Sequence, residues 1–416
     1  MRKPIAMLAA FYLGSAVAAE AAVVDFDSIP ALVRERNDHA KGAALLAEAE
    51  GQQKGVLRRS LAPTLGFRAG AETFKTGSRA SRAEPFGFLE AGINLYRGGR
   101  DKLADEAVEA RVSAASADAD RILREEIKKA RQAYWTLVSQ REVLALLSEA
   151  KAANSSNQGA ASTRIRAGLA TETDRIEFEM FDIELGQDLA RAKLEAESTE
   201  RELRVLLGLD EGVQIQTQAQ VGHEEKDKSL TSKVALDEHP SVAALTFGAI
   251  EADVGSRQLG RWWWPRLDAY GSHGLNTFRE REFEPASERV ESVVGLQISM
   301  DLFDGFISRT EASRKALEAE GLRREARQTA SELRAQVERS QAELELTHTL
   351  IHDSEAAIKR SASYLARTLD EYKRGVKNSP DVLAASERNL SMRRRFAELR
   401  RDYQLARAEL MAVLGQ

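Results

Sequence analysis

Two hydrophobic periods divide this chain. Over long stretches apolar residues recur every three or four positions, the spacing of one helix face. Phe396, Leu399, Tyr403, Ala406, Leu410 and Val413 follow alternating steps of three and four, and Leu189, Ala192, Ala196, Thr199, Leu203 and Leu206 keep the same register. That is a coiled-coil seam. Upstream, Leu103, Ala107, Ala110, Ala114 and Ala117 form a small-residue face that lets helix axes approach closely, and Ile127, Ala130, Tyr134, Leu137, Leu144 and Leu147 enlarge it. A second long helix, roughly 306–374, is more charged. Three short stretches alternate instead. Leu65, Phe67, Ala69 and Ala71 interleave with Gly66, Arg68, Gly70 and Glu72. Leu89, Ala91, Ile93 and Leu95 interleave with Glu90, Gly92 and Asn94. Val294, Leu296, Ile298, Met300 and Leu302 interleave with Gly295, Gln297, Ser299 and Asp301. A period of two predicts strands with one oily and one polar face.

Proline placement allows the helices to be very long. The eight prolines stand at 4, 30, 63, 85, 240, 265, 285 and 380, leaving 86–239 and 286–379 free of this helix breaker. A helix of about 60 residues reaches ~90 Å. The chain also repeats itself. Pro63-Thr64-Leu65 answers Pro265-Arg266-Leu267 at an offset of 202, and Leu95-Tyr96-Arg97-Gly98 answers Leu302-Phe303-Asp304-Gly305 at 207. Gly168 and Asp174 answer Gly375 and Asp381, and Leu207-Gly208 answers Leu414-Gly415, also at 207. The change of offset places about five extra residues in the second copy, between its strands. Self-similarity held across four landmarks points to duplication. The expected plan is therefore 20–220 as the first repeat (helix, strands at about 63–76 and 86–98, long helix, helix). The second is 221–416, with strands at about 265–278 and 290–304.

Composition narrows the chemistry. The 416 residues include no cysteine, which excludes disulfides, thiol catalysis and cysteine-ligated metals. With 60 Lys+Arg against 65 Asp+Glu the formal charge is −5, no reason to seek nucleic acid. Arg2 and Lys3, the apolar run 5–13 and small residues at 14–19 read as a secretory signal peptide over 1–19. Cleavage after Ala19 removes two positive charges and takes the formal charge from −5 to −7. No later segment has ~18 consecutive apolar residues, so membrane residence requires a β-barrel. Alternating strands beside very long helices fit lipid on one face and water on the other. Four strands cannot close a barrel alone, so several chains must share one. Trp262-Trp263-Trp264, just before the third strand, reads either as an interfacial aromatic belt or as packing at a helix–strand junction.

At this point the chain resembles the TolC-like outer-membrane efflux family. The matching features are the strand starts at Pro63 and Pro265, the turns Leu95-Tyr96-Arg97-Gly98-Gly99-Arg100 and Leu302-Phe303-Asp304-Gly305, and the turn motifs at 166–174 and 372–383. The resemblance implies a mixed α+β membrane protein. It would be a homotrimer whose 12-stranded outer-membrane β-barrel, four strands per protomer, continues into a long periplasmic α-helical coiled-coil barrel. It further implies a passive exit duct with no chemistry and no cofactor, set in outer-membrane lipid. A periplasmic adaptor (membrane fusion protein) would join it to an inner-membrane ABC or RND pump.

The same resemblance assigns roles to residues. Gly168, Leu169, Ala170 and Thr171, with Gly375, Val376, Lys377 and Asn378, match the turns that dock the adaptor. Asp381 matches the first of two aspartates ringing the closed pore entrance. Ala384 stands at the second, which makes the constriction less acidic, and Glu387 lies a turn further on. A ring of three Asp381 carboxylates would favour cations; equally, Asp381 reads as a helix-start residue stabilised by the dipole. Asp174, Tyr372 and Lys377 match the gate latch, with lysine where arginine is usual, and lysine cannot form arginine's planar bidentate pair. Arg68, Glu90, Asn94, Gln297 and Asp301 are expected to wet the lumen.

Other features carry less. His348 and His352 lie four apart on a helix but lack further ligands for a metal. The arginines at 393–395 and 400–401 read as a solvated helix face. No nucleophile–base constellation or phosphate loop stands out, so no enzyme is expected. The missing cysteine leaves no site for a lipid anchor, which resembles members serving type I secretion more than drug or metal pumps. The alternative is a soluble periplasmic coiled-coil scaffold or adaptor.

Overall fold

The computed structural model describes residues 21–74, 82–168, 170–217, 238–275 and 290–415. The expected signal peptide at 1–19, the inter-strand loops and Leu169 lie outside them. The elements run β1 (Ala21–Val24), α1 (Ile29–Arg36), α2 (Asp38–Gly51), α3 (Val56–Ser60), β2 (Thr64–Phe74), β3 (Arg82–Arg97), α4 (Arg100–Arg166), α5 (Glu172–Leu206) and β4 (Gln214–Thr217). They continue with α6 (Pro240–Leu259), β5 (Arg266–Leu275), β6 (Val290–Ser299), α7 (Ile307–Lys373) and α8 (Ser379–Leu414). A strand pair, a helix of 67 residues and a helix of 35 or 36 thus occur twice in succession. The chain forms two compact units.

The sheet unit comprises Gly42–Ile122 and Ala235–Ala335. Its four strands form one antiparallel sheet in the order β2-β3-β5-β6, so β2 and β6 are the edges. β3 starts four residues before the expected 86, running through Pro85. A proline has no N–H to give a ladder. Pro85 is tolerated because β5 pairs with β3 only from Gly87 onward. Two turns lead from sheet to helix. Gly98 and Gly99 both have positive φ (65° and 69°), and a Cβ on Gly98 would sit 2.5 Å from the Trp264 side chain. Glycine is the residue that meets both demands. The second turn has Gly305 and then Phe306 in the same left-handed region (φ 68° and 65°), with Phe306 edge-on to Phe303. Behind the turns, Leu103, Ala107 and Val254 form a small core. Arg111 of α4 joins Glu251 of α6 at 2.7 Å.

The helical unit comprises Met1–Lys41, Leu123–Val234 and Gln336–Gln416. Both heptad seams turn inward: Leu203, Leu206, Leu399, Tyr403, Leu410 and Val413 are buried. The main cluster packs Tyr134, Leu137, Val138, Leu203 and Leu207 with Val24, Phe26, Ile29 and Val33. Here the structure adds two features. The helix expected ahead of the strands is broken at Asn37, whose ψ of 119° leaves the helical region. The buried Asn37 amide donates to the Leu206 carbonyl at 2.9 Å, and its oxygen accepts the Ala40 N–H at 2.9 Å. One side chain thus ends α1 and caps α2. The second addition is a parallel pair, β1 with β4, four residues each.

Candidate functional site

The sheet sorts its side chains as alternation predicts. On one face lie Leu65, Phe67, Leu89, Val294, Leu296 and Ile298, all exposed; Val294 is 90% accessible and Phe67 75%. So large an apolar surface calls for a covering partner. The opposite face carries Arg68 paired to Glu90 at 3.3 Å. At the turn end of the sheet, Arg266 pairs with Asp301 at 3.1 Å, and Asn94 donates to Asp101 at 2.8 Å. This polar face also has aromatics that sequence reading missed. Phe86 and Phe88 stack at 5.9 Å, Phe86 lies over Gly70, and the Tyr270 ring lies over Gly295. Cross-strand glycines make room for these rings. Beside the sheet, Trp263 and Trp264 lie 6.0 Å apart, partly exposed, with Arg261 over Trp264.

The second candidate region is where α4 turns into α5 and α7 into α8, within the helical unit. Gly168 (φ 73°) and Gly375 (φ 82°) end the long helices in the left-handed conformation that closes a helix C-terminus. Each following helix opens with a reciprocal cap. Thr171 pairs with Asp174, whose carboxylate accepts the Thr171 N–H at 2.8 Å; Asn378 pairs with Asp381 at 3.4 Å. Such caps satisfy N–H groups that a helix start otherwise leaves orphaned.

Contacts then join the two helix pairs. Buried Ser379 on α8 places its hydroxyl against Asp174 and, at 2.6 Å, against Glu177, both on α5. Burial pushes the Asp174 carboxyl up, but hydrogen bonds from Ser379 and Thr171 together outweigh it and hold the group below the usual carboxylate range. Tyr372 on α7 is 2% accessible and meets Phe178 edge-on at 6.1 Å, in a cluster with Ala161 and Val382. These four residues come from four different helices. The Arg164 guanidinium of α4 lies 4.1 Å from the Tyr372 ring centre and donates to the Tyr372 carbonyl. Burial raises the Tyr372 hydroxyl above its ordinary value, with Arg164 opposing and Asp174 adding to the rise.

The sequence-derived latch residues therefore have separate partners: Asp174 meets Ser379, Tyr372 meets Arg164, and Lys377 sits 3.4 Å from Asp381 at the start of its own helix. Asp381 is both a cap and an ion-pair partner. Ala384 and Glu387 are exposed. Of the residues expected to dock an adaptor, Gly168, Thr171, Gly375, Val376 and Asn378 are exposed on the turns, and Ala170 and Lys377 are half-buried. Arg164, Glu177 and Ser379 were not foreseen.

Residues 231–416 match the family model described as outer membrane efflux protein. That stretch, a little under half of the chain, is similar to the outer membrane efflux protein family. The fold extends the likeness to most of the rest. A membrane protein from Pseudomonas aeruginosa superimposes with a TM-score of 0.82 at 18% identity, covering 94% of this chain and 92% of that one. The Campylobacter jejuni CmeC outer membrane channel gives 0.82 at 15%, covering 94% and 85%. The open state of the Neisseria gonorrhoeae MtrE outer membrane channel gives 0.75 at 17%, covering 94% and 88%. No curated protein matches the chain. Among the described residues no helix is long and apolar enough to cross a membrane. The exposed oily face of the sheet is the surface to explain.

Proposed function

We propose that the protein is the exit duct of a tripartite export system, a passive homotrimer in the outer membrane whose helices line a periplasmic tunnel. The observation that carries this reading is the open sheet: four strands, an outward oily face centred on Val294, Leu296 and Ile298, and two edges without a strand partner among the described residues. In lipid every backbone N–H and C=O must be satisfied, so an open edge is not viable. Four strands fall short of the smallest barrels of eight, so several copies must share one barrel, and the trimer that the resemblance implies gives twelve strands. A soluble scaffold would leave the oily face in water. An exposed apolar stripe on α5 (Ile176, Met180, Ile183, Leu194) fits a neighbouring protomer's helix. The matching lengths of the two strand–helix series support a duplicated chain.

In this reading the polar sheet face wets the lumen, with Arg68 and Glu90 among its charges. Three copies of Asp381 form an acidic ring at the entrance, and the turns at Gly168 and Gly375 receive a periplasmic adaptor. Opening is an outward movement of α7 and α8 from α4 and α5, biased by the adaptor. The pump is of the ABC or RND kind. The pathway it serves is type I secretion or drug or metal efflux.

The test is purification from the outer-membrane fraction. The protein should need detergent, have three times the protomer mass, and conduct ions across a planar bilayer. A water-soluble monomer carrying no current would overturn the reading. Copurification with an inner-membrane pump would identify the pump class.

A further inference from the structure

The tip contacts assign the latch cation to a different helix from the one the family pattern suggests. We propose that Arg164, at the end of α4, is the residue that clamps α7 in the closed tip, a role that rests on the duct reading above. Lysine stands at 377, but it is engaged with Asp381 one turn along. Arg164 instead makes two contacts with one residue. Its guanidinium covers the Tyr372 ring at 4.1 Å and its NH1 donates to the Tyr372 carbonyl. That carbonyl, in the last turn of α7, also accepts the Gly375 N–H at 3.0 Å, so Arg164 is its second donor. A planar guanidinium is suited to cover a ring while its edge donates; a lysine ammonium is not.

The position of the contact gives it leverage. Beneath the guanidinium, Tyr372 is sealed by Phe178, Val382 and Ala161, so separating α7 from α4 uncovers both the ring and the buried cluster. The Asp174–Ser379 contact ties α5 to α8 in the same way. Two ties therefore join the first helix pair to the second, and outward movement of α7 and α8 breaks both. Among the described residues the Tyr372 hydroxyl has no hydrogen-bond partner. The clamp uses the ring and the backbone carbonyl, so it predicts that the hydroxyl is dispensable.

The experiment compares planar-bilayer conductance of the full-length wild type with Arg164→Gln, Arg164→Lys, Tyr372→Leu and Tyr372→Phe, alongside thermal melting in detergent. Arg164→Gln and Tyr372→Leu should each raise the open fraction on the order of tenfold (about 1.4 kcal/mol). The double variant should open less than the two single effects combined, because both remove the contact between the guanidinium and the ring. Arg164→Lys should fall between, and Tyr372→Phe should match the wild type. Melting should shift little relative to the change in conductance, separating a latch from general support of the tip. If Arg164→Gln does not assemble, Arg164→Lys and Tyr372→Leu carry the comparison. A wild type that conducts, with Arg164 variants indistinguishable from it, overturns this proposal alone. So does a Tyr372→Phe channel as open as Arg164→Gln. A wild type that carries no current removes the duct reading and the clamp together.

Discussion

In the proposed duct Asp381 would serve two purposes at the tip. It closes the cap with Asn378 and pairs with Lys377, while three copies around a pore axis would attract cations. Asp381→Ala should therefore have two separable effects. Cation selectivity in planar bilayers should fall, and loss of the cap should destabilise α8 by about 1 kcal/mol, readable as a lower melting temperature. Asp381→Asn should keep most of the cap and lose the selectivity. Unchanged selectivity in both variants would rule out the acidic ring. Asp174 adds a pH dependence whose sign follows from its lowered pKa. The carboxylate's contribution is fully present above the ordinary value of 3.8 and is lost as pH falls through the depressed folded value. Acidification below about pH 4 should thus loosen the α5–α8 tie, and Asp174→Asn should remove that acid-induced increase in conductance. Neither Ser379 nor Arg164 was legible as a partner from sequence. Their contacts span 205 and 208 positions, and neither position belongs to a periodic pattern. The caps were within reach, since Thr171 and Asn378 each precede an aspartate by three.

At the scale of elements, the strands and long helices were readable because each repeats one period for many residues. Burial of the heptad positions and exposure of the oily strand face follow directly from those periods. The parallel β1–β4 pair was not readable: four residues hold too few alternations to distinguish a strand from an extended linker. The break at Asn37 escaped because asparagine interrupts a helix through its hydrogen bonds to Leu206 and Ala40, not through a fixed φ. The sheet offers a test of which face meets lipid. Val294 and Gln297 lie on the same strand and point to opposite faces. An arginine on a lipid face near the bilayer centre costs about 2–4 kcal/mol, whereas a lumen position tolerates it. Val294→Arg should sharply reduce the amount of heat-stable oligomer in the outer-membrane fraction, and Gln297→Arg should assemble normally and shift ion selectivity. The reverse result would mean that the sheet is turned inside out relative to this account. Gly98→Ala should lower stability by about 1–3 kcal/mol, since the new methyl meets Trp264 in a left-handed turn.

For the whole molecule, the decisive question is how the β2 and β6 edges are satisfied. They are different strands, so in the proposed trimer one chain's β2 would pair with another's β6 in a head-to-tail interface. Such an interface either closes into a ring or grows without limit. In the proposed trimer it closes at three copies, giving twelve strands. The native chain contains no cysteine, so disulfide mapping has no background. Cysteines introduced in pairs, one along Thr64–Phe74 and one along Val290–Ser299, should form intermolecular bridges only in the register that the barrel adopts. Bridging demands Cα atoms within roughly 7 Å, so a shift of one or two residues in the pair should abolish it. In denaturing gels a closed ring gives dimers and trimers as partial and complete products, with nothing larger. A ladder continuing past the trimer would mean an open chain of sheets, and bridges within a monomer would mean that the two edges meet in one chain. Either pattern would remove the proposed twelve-stranded wall, and with it the proposed path for conduction.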